Sequence, residues 1–500
     1  MGQKIKDKEA YQKVVTAFMR QQKGATVADI VAKTALPLNT VRELVPQAAD
    51  EYSGRLEVTE SGEILYSFPR GFISKYRGFK ASLNRFLEKF GKALKIFSVG
   101  AFKVWIMVML VGYFALFMLI ALASLMLSVA ASSSSRSDNR SSSRGGGGLF
   151  FASGIFNMII RIWFYSELTK SIDRSYGYGR GSSQPRPKGR PLYKAIFSFV
   201  FGDGDPNADW ISREKQGVIA YIQANAGVIS LPEFMALTGK ESTEAEEGIT
   251  GYCAEFGGLP EATDDGTVVY RFDELLLRAD KKSRSFAGFS APLKRLLSFS
   301  SNKQKMNGWF SVINGANLAF GSYFLFNAFT TGAITTQAQF DAASYLYKVS
   351  YLLFSSISSG DILPFITIGL GVVPLVFSLL FWLIPLLRNV NLKKANETVK
   401  LENLRKDGFH RIWEAPLSVK PAEIDPKPAE CRPKNMAAAR DRVIKEIGAY
   451  SVPEVALDAS GEAVYSFNEL EREKAALEKY RRGIDPNASG LGKVVFDSEG

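Results

Sequence analysis

The chain has 500 residues, 46% of them hydrophobic and 22% charged, which is ordinary for a folded protein and leaves room for two to four domains. Its two cysteines, Cys253 and Cys431, lie far apart without the paired spacing of a zinc or cluster site, and two are too few for a disulfide framework. The formal charge of +12 fits either nucleic acid or an anionic membrane surface as a partner, and the positions of the charges decide between them.

The N-terminus, Met1 to Lys8, is basic but leads into an amphipathic pattern and not an apolar run, so no cleavable signal peptide is apparent. Glu9 to Gln22 places Val14, Val15, Phe18 and Met19 on one helical face. Thr26 is positioned to cap a second helix running to about Ala32, and Leu38 to Tyr52 supplies a third, with Val41, Leu44 and Val45 inward and Pro46 as a kink. A hairpin follows: Arg55 to Thr59, then Gly62-Glu63-Ile64-Leu65-Tyr66-Ser67-Phe68. That last pattern, Gly-x-x-apolar-Tyr-x-Phe, recurs at Gly266 to Phe272 and at Gly461 to Phe467. Before the second copy come the same three helical segments, Arg213 to Asn225, Leu231 to Leu237 and Thr243 to Phe256. The third copy is clear only from Met436, because Phe409 to Glu430 is proline-rich. Three helices and a two-stranded wing, in that order, make a winged-helix-like module.

Between the modules lie segments of another kind. Val104 to Ser135, Met306 to Phe340 and Ile362 to Leu387 contain no Asp, Glu, Lys or Arg, and each exceeds the roughly 20 residues that cross a bilayer core. A fourth apolar stretch, Leu149 to Tyr165, holds Arg161 and follows a Ser/Arg/Gly loop; it either spans or lies at the interface. Ahead of the first and second of these runs is a basic amphipathic segment of nearly equal length. The first carries Lys75, Arg77, Lys80, Arg85, Lys89, Lys92 and Lys95, and the second Lys281, Lys282, Arg284, Lys294 and Arg295. These residues are the candidate membrane-surface contacts, each worth roughly 1 kcal/mol against anionic lipid. The same Lys/Arg bias assigns the module side to the cytoplasm, which points to a bacterial inner membrane.

The expected fold class is therefore an α-helical polytopic membrane protein with repeated winged-helix-like (α+β) modules. Residues 1–70 form the first module, 71–103 a basic amphipathic juxtamembrane helix, 104–168 a membrane hairpin (104–131 a span, 149–165 a span or an interfacial helix) and 169–204 a basic linker with a short helix. Residues 205–278 form the second module, 279–305 a basic segment and 306–388 a second membrane hairpin (spans 309–333 and 362–387). A degenerate third module (389–482) and a flexible tail (483–500) complete the chain.

Candidate chemistry is sparse. Asp203, Asp205, Asn207, Asp209 and Glu214 imitate the oxygen spacing of a calcium loop, but Ala208 stands where that loop needs glycine and Pro206 restricts the turn, so a helix-ending turn competes with the metal. His410 is the sole histidine, and no P-loop, GxSxG or HExxH pattern occurs, so no catalytic residue and no cofactor are assigned. Nucleic acid is disfavoured as a partner, because the third helix of the second module carries Glu244, Glu246, Glu247 and Glu255 and would repel phosphates. The expected partners are anionic lipid and another protein or a second copy. A membrane-tethered transcription regulator and a transporter or channel component are the alternatives.

One stretch, Phe197-Ser198-Phe199-Val200-Phe201-Gly202-Asp203-Gly204-Asp205-Pro206-Asn207, resembles a family of uncharacterised membrane proteins of cyanobacteria, other bacteria and chloroplasts, the likeness being most specific over Leu192 to about Leu237. The resemblance implies membrane location and no particular activity.

Overall fold

The computed structural model describes residues 8–21, 24–69, 71–75, 91, 94, 97–133, 190–279, 293–358, 360–426, 429–484 and 490–498. The chain divides into two compact units, one comprising Met1–Arg85, Asp205–Leu297 and Lys394–Gly500 and the other Phe86–Gly204 and Ser298–Lys393. The expected span at 149–165 and the basic linker to residue 189 lie outside the described residues.

Helix α1 (Lys8–Met19) buries Tyr11, Val14, Val15 and Phe18, as its three- and four-residue steps demand. Helix α2 (Val27–Thr34) opens on a capping box: the Thr26 hydroxyl accepts from the Asp29 N–H, and the Asp29 carboxylate accepts from the Thr26 N–H at 3.1 Å. Helix α3 (Leu38–Glu51) buries Val41, Leu44 and Val45 and contains Pro46. Strands β1 (Arg55–Thr59) and β2 (Ile64–Ser67) close the module as an antiparallel hairpin, turning at Gly62, whose φ of 80° favours glycine.

The next described helical stretch contains a π-helical segment, Val108–Gly112, and continues as α4 (Tyr113–Ser133); α5 (Leu192–Phe201) follows, and both belong to the second unit. The second module then runs α6 (Trp210–Ala224), β3 (Val228–Ser230), α7 (Leu231–Thr238), α8 (Ser242–Phe256), β4 (Leu259–Ala262) and β5 (Val268–Arg271). Its sheet order is β3-β5-β4. Ser230 and Glu233 repeat the capping box of Thr26 and Asp29. Helices α9 (Gln304–Thr331), α10 (Gln337–Ala342) and α11 (Tyr345–Ser355) return to the second unit. A second π-helical segment, Phe365–Val372, precedes the long α12 (Val373–Glu414). The third module adds α13 (Met436–Gly448), β6 (Glu454–Leu457), β7 (Ala463–Ser466) and α14 (Asn468–Gly483), and β8 (Val494–Asp497) comes last.

One backbone contact unites the three modules. The tyrosine of each Gly-x-x-apolar-Tyr-x-Phe hairpin pairs antiparallel with the residue that follows the module's first helix: Tyr66 with Ala25, Tyr270 with Ile229, Tyr465 with Val419. In the third module the first helix is the end of α12, which buries Phe409, Ile412 and Trp413, and a short 3-10 turn, Pro421–Glu423, replaces the second helix. Pro421 is at the helix-compatible first position, but Pro426 five residues on cannot continue a helix and stops it after one turn.

The modules share one hydrophobic core and dock in sequence. In modules 1 and 2 the buried capping acid is reached by an arginine that follows the hairpin of the next module. Arg278 lies 3.7 Å from Asp29, and the neighbouring Ala279 N–H donates to the same carboxylate at 3.0 Å. Arg481 donates both terminal nitrogens to Glu233, at 2.9 and 2.6 Å. The last strand, β8, extends the first module's sheet to the order β2-β1-β8, where Arg55 pairs with Asp497. The tail is thus tied back to the first module, and its sequence concealed this because three apolar residues are too few to show a period.

Among its described residues the second unit has two cores of its own, one around Leu110, Ile196, Phe199, Phe310 and Phe381 and one around Phe117, Phe324, Tyr347, Ile366 and Leu370. Two described helices are long and apolar enough to cross a membrane, Phe97–Val129 and Phe365–Glu414, and only 28% and 33% of their most apolar windows is buried. That is the reverse of a soluble core helix, which hides its apolar side chains. Helix α9 falls short in apolarity although it is 28 residues long, since it carries Asn307, Asn314, Asn317 and Asn327.

Candidate functional site

The first unit carries a cleft of about 1060 Å³ between modules 2 and 3. One wall is α8 and the β4–β5 turn, contributing Glu246, Thr250 and Asp265; the other is Tyr450 with α14, contributing Glu469, Arg472 and Glu473. Module 2 presents its third helix here because Ala245, Ile249, Tyr252 and Phe256 pack inward, leaving Glu244, Glu246 and Glu247 exposed. The Tyr450 hydroxyl donates to Glu473 at 2.9 Å. Burial pushes the Glu473 carboxyl above its ordinary pKa, partly offset by that hydrogen bond. Four carboxylates against Arg472 and Lys479 leave the lining acidic, with Tyr270 and Tyr450 as its aromatic surface. Sequence reasoning found the acidic third helix but not Tyr450, Glu469 or Glu473, which belong to another module and join it only in three dimensions.

The Gly202 to Asn207 motif is explained by packing. Gly202 has a φ of 82°, and an added Cβ would strike the guanidinium of Arg388. Arg388 donates to the carbonyls of Phe199 and Phe299, at 2.9 and 2.7 Å, so it caps the end of α5. Asp203 accepts from Arg190, from the Ser198 hydroxyl at 2.6 Å and from both the N–H and hydroxyl of Ser301. In the first unit, Asp205 accepts from the Asn207 N–H, Asn207 brackets the Arg295 backbone, Asp209 pairs with Arg213, and Glu214 pairs with Lys406. Each of the five candidate calcium ligands is therefore engaged by a protein donor, and among the described residues no group of three or more His, Cys, Asp or Glu is placed to hold a metal.

Burial works to raise the pKa of Asp203, but the hydrogen bonds from Arg190, Ser198 and Ser301 outweigh it and hold the carboxyl well below the usual range. With the lower pKa in the folded state, this stabilisation is complete above the unfolded value near 4 and drains away as pH falls toward the folded value. Asp203→Asn should therefore lower the unfolding temperature at pH 7, and the gap to the wild type should narrow below about pH 4. Tryptophan-fluorescence melts across pH check this; an unchanged gap at pH 3 would show that the charge does not hold the turn.

Of the basic residues, Lys75 is exposed, while Lys294 pairs with Glu402 and lies over the Trp210 ring. Arg295 is exposed. Arg77, Lys80, Arg85, Lys89, Lys92, Lys95, Lys281, Lys282 and Arg284 lie outside the described residues. His410 pairs with Glu414 at 3.3 Å on its own helix. The third helix of module 3, α13, differs from that of module 2 in exposing Arg442 and Lys445.

An uncharacterised chloroplastic protein of Arabidopsis thaliana is 24% identical to this chain over 403 residues, which cover 78% of the chain and 70% of that protein. No family model matches the sequence. No solved structure matches it either.

Proposed function

We propose that the chain is a membrane-anchored scaffold that presents winged-helix-like modules to a partner protein at the membrane face. The observation that carries this is the acidic cleft between modules 2 and 3, floored by the third helix of module 2, the element that would enter a DNA groove in a nucleic-acid reader. Carboxylates there repel phosphate and suit a basic segment of another protein. The winged-helix reading is supported by the order helix, strand, helix, helix, hairpin and by the sheet order β3-β5-β4. Anchoring is supported by the two long apolar helices with exposed side chains. Lys75, Arg295 and the basic residues around them are the proposed contacts to anionic lipid, with the modules on the cytoplasmic side of a bacterial inner membrane or the corresponding side of a chloroplast membrane.

Detergent-solubilised full chain should retain a partner on affinity capture, identified by mass spectrometry, and Glu246→Lys with Glu469→Lys should release it while the melting temperature stays put. Capture of nothing by the wild type would defeat the scaffold. The basic α13 favours a second reading, a membrane-tethered regulator that binds DNA through Arg442 and Lys445. Sequence-selective DNA binding with a steep salt slope, lost on Arg442→Glu, would establish that reading in place of the first.

A further inference from the structure

Among its described residues the second unit hides three side-chain oxygens that have no partner. Asn314 and Asn317 lie one turn apart on the same face of α9 and are fully buried, as is Ser378 of α12. Each amide spends an N–H on a backbone carbonyl. Asn314 Nδ2 donates to the Ser378 carbonyl at 2.9 Å, and Asn317 Nδ2 donates to the carbonyl of Leu110, inside the π-helical segment, at 2.8 Å. Asn314 Oδ1, Asn317 Oδ1 and Ser378 Oγ are left over, buried and unpaired. Leaving a buried polar atom unpaired costs about 1–3 kcal/mol, so three together among apolar helices call for an occupant.

We propose that these three oxygens enclose a binding site for one water molecule, an uncharged hydrogen-bond donor at the junction of the Leu110 segment, α9 and α12. The hydrogen-bond count selects the ligand. Two amide oxygens need donors, and one hydroxyl has a proton to give; a water donates twice and accepts once, which satisfies all three. An anion has nothing to donate. A metal cation would have only three neutral oxygens and no counter-charge from them, which does not repay several kcal/mol of desolvation. The Asn314 bond to the Ser378 carbonyl holds these two residues side by side, and Asn317 sits a turn further along the same face.

The site is isolated. The next polar cluster along α9 is Tyr323 and Asn327 with Ser344, six and ten residues, or about 9 and 15 Å, beyond Asn317. Between them Phe117 stacks on Phe320 and Phe324, with ring centres 5.1 and 5.7 Å apart, and the backbones of Gly321 and Gly371 meet. An aromatic layer separates the two clusters, so the water is a lodged component and not part of a file.

The test uses the full chain in lipid nanodiscs. A structure at a resolution that shows ordered water should place a single solvent peak in hydrogen-bonding reach of all three oxygens. Thermal melts should be the same in sodium and choline chloride. Asn314→Leu, Asn317→Leu and Ser378→Ala should each lower the melting temperature, and the triple variant should lose less than their sum, because it strands no partner of the water. An empty site, strictly additive losses or a sodium-specific rise in melting temperature would each overturn the proposal, the last in favour of a cation.

Discussion

Arg481→Met is expected to destabilise the module unit by about 3–5 kcal/mol, because it leaves a buried carboxylate without its counter-charge. Glu233 is 2% exposed, and the arginine that meets it is 17% exposed. Arg481 presents a two-pronged fork to Glu233, donates to the Val228 carbonyl at 2.8 Å and lies over the Tyr221 ring. Glu233 already accepts from Tyr221 at 2.6 Å and from the Ser230 N–H, so its remaining lone pairs face protein and not water once the guanidinium is gone. Hydrogen exchange over residues 228–238 reads the loss directly as faster opening of β3 and α7. Adding Glu233→Gln to Arg481→Met should recover much of it, since a neutral amide costs far less to bury than an unpaired charge. A variant that exchanges like the wild type would show that module 3 is not locked onto module 2 through this pair. Arg278→Met is the matched comparison. Its partner Asp29 is as buried, but the pair stands at 3.7 Å and Asp29 keeps the Thr26 and Ala279 donors, so the loss should be smaller.

The features legible in the sequence were those that local rules enforce. Each Gly-x-x-apolar-Tyr-x-Phe segment is a hairpin return strand, because the glycines at 62, 266 and 461 all sit near a φ of 80° and the strand after them alternates its faces. Thr26 was legible as a cap for the same reason: its hydroxyl needs only a donor three residues on. What escaped was short or distant. Val228–Ser230 is a strand of three residues, too brief for any period, yet it fixes Tyr270. Arg278 and Arg481 reach acids 249 and 248 residues away, measured from Asp29 and Glu233, and nothing local in either segment marks the partner. Nothing local in the sequence marks Asn314 and Asn317, and only the packing of α9 shows that both face inward. The oxygen-rich Asp203 to Glu214 spacing imitated a single cage, whereas the fold gives its members separate donors.

The second large effect is expected at the crossing of α9 with the π-helical segment before α12, where two glycines let backbones touch. A Cβ on Gly321 would stand 3.1 Å from the Leu375 nitrogen and 3.2 Å from the Gly371 carbonyl oxygen, and one on Gly371 would stand 3.2 Å from the Leu325 backbone. These neighbours are main chain, so no rotamer change relieves the contact. Gly371→Leu should cost about 1–3 kcal/mol or more as the helices are forced apart, and Gly371→Ala only a fraction of that. The penalty matters more for helices surrounded by lipid, because lipid tails are as apolar as the side chains and close packing is what holds such helices together. Trp382 reports the outcome, since its ring lies 3.6 Å from where a Cβ on Gly315 of α9 would be and its emission will change when that contact opens. Melts followed at Trp382 should shift down strongly for Gly371→Leu and slightly for Gly371→Ala. If leucine is tolerated at both positions, the crossing is looser than its distances imply, and the three helices around Asn314, Asn317 and Ser378 would then admit bulk solvent in place of a single water.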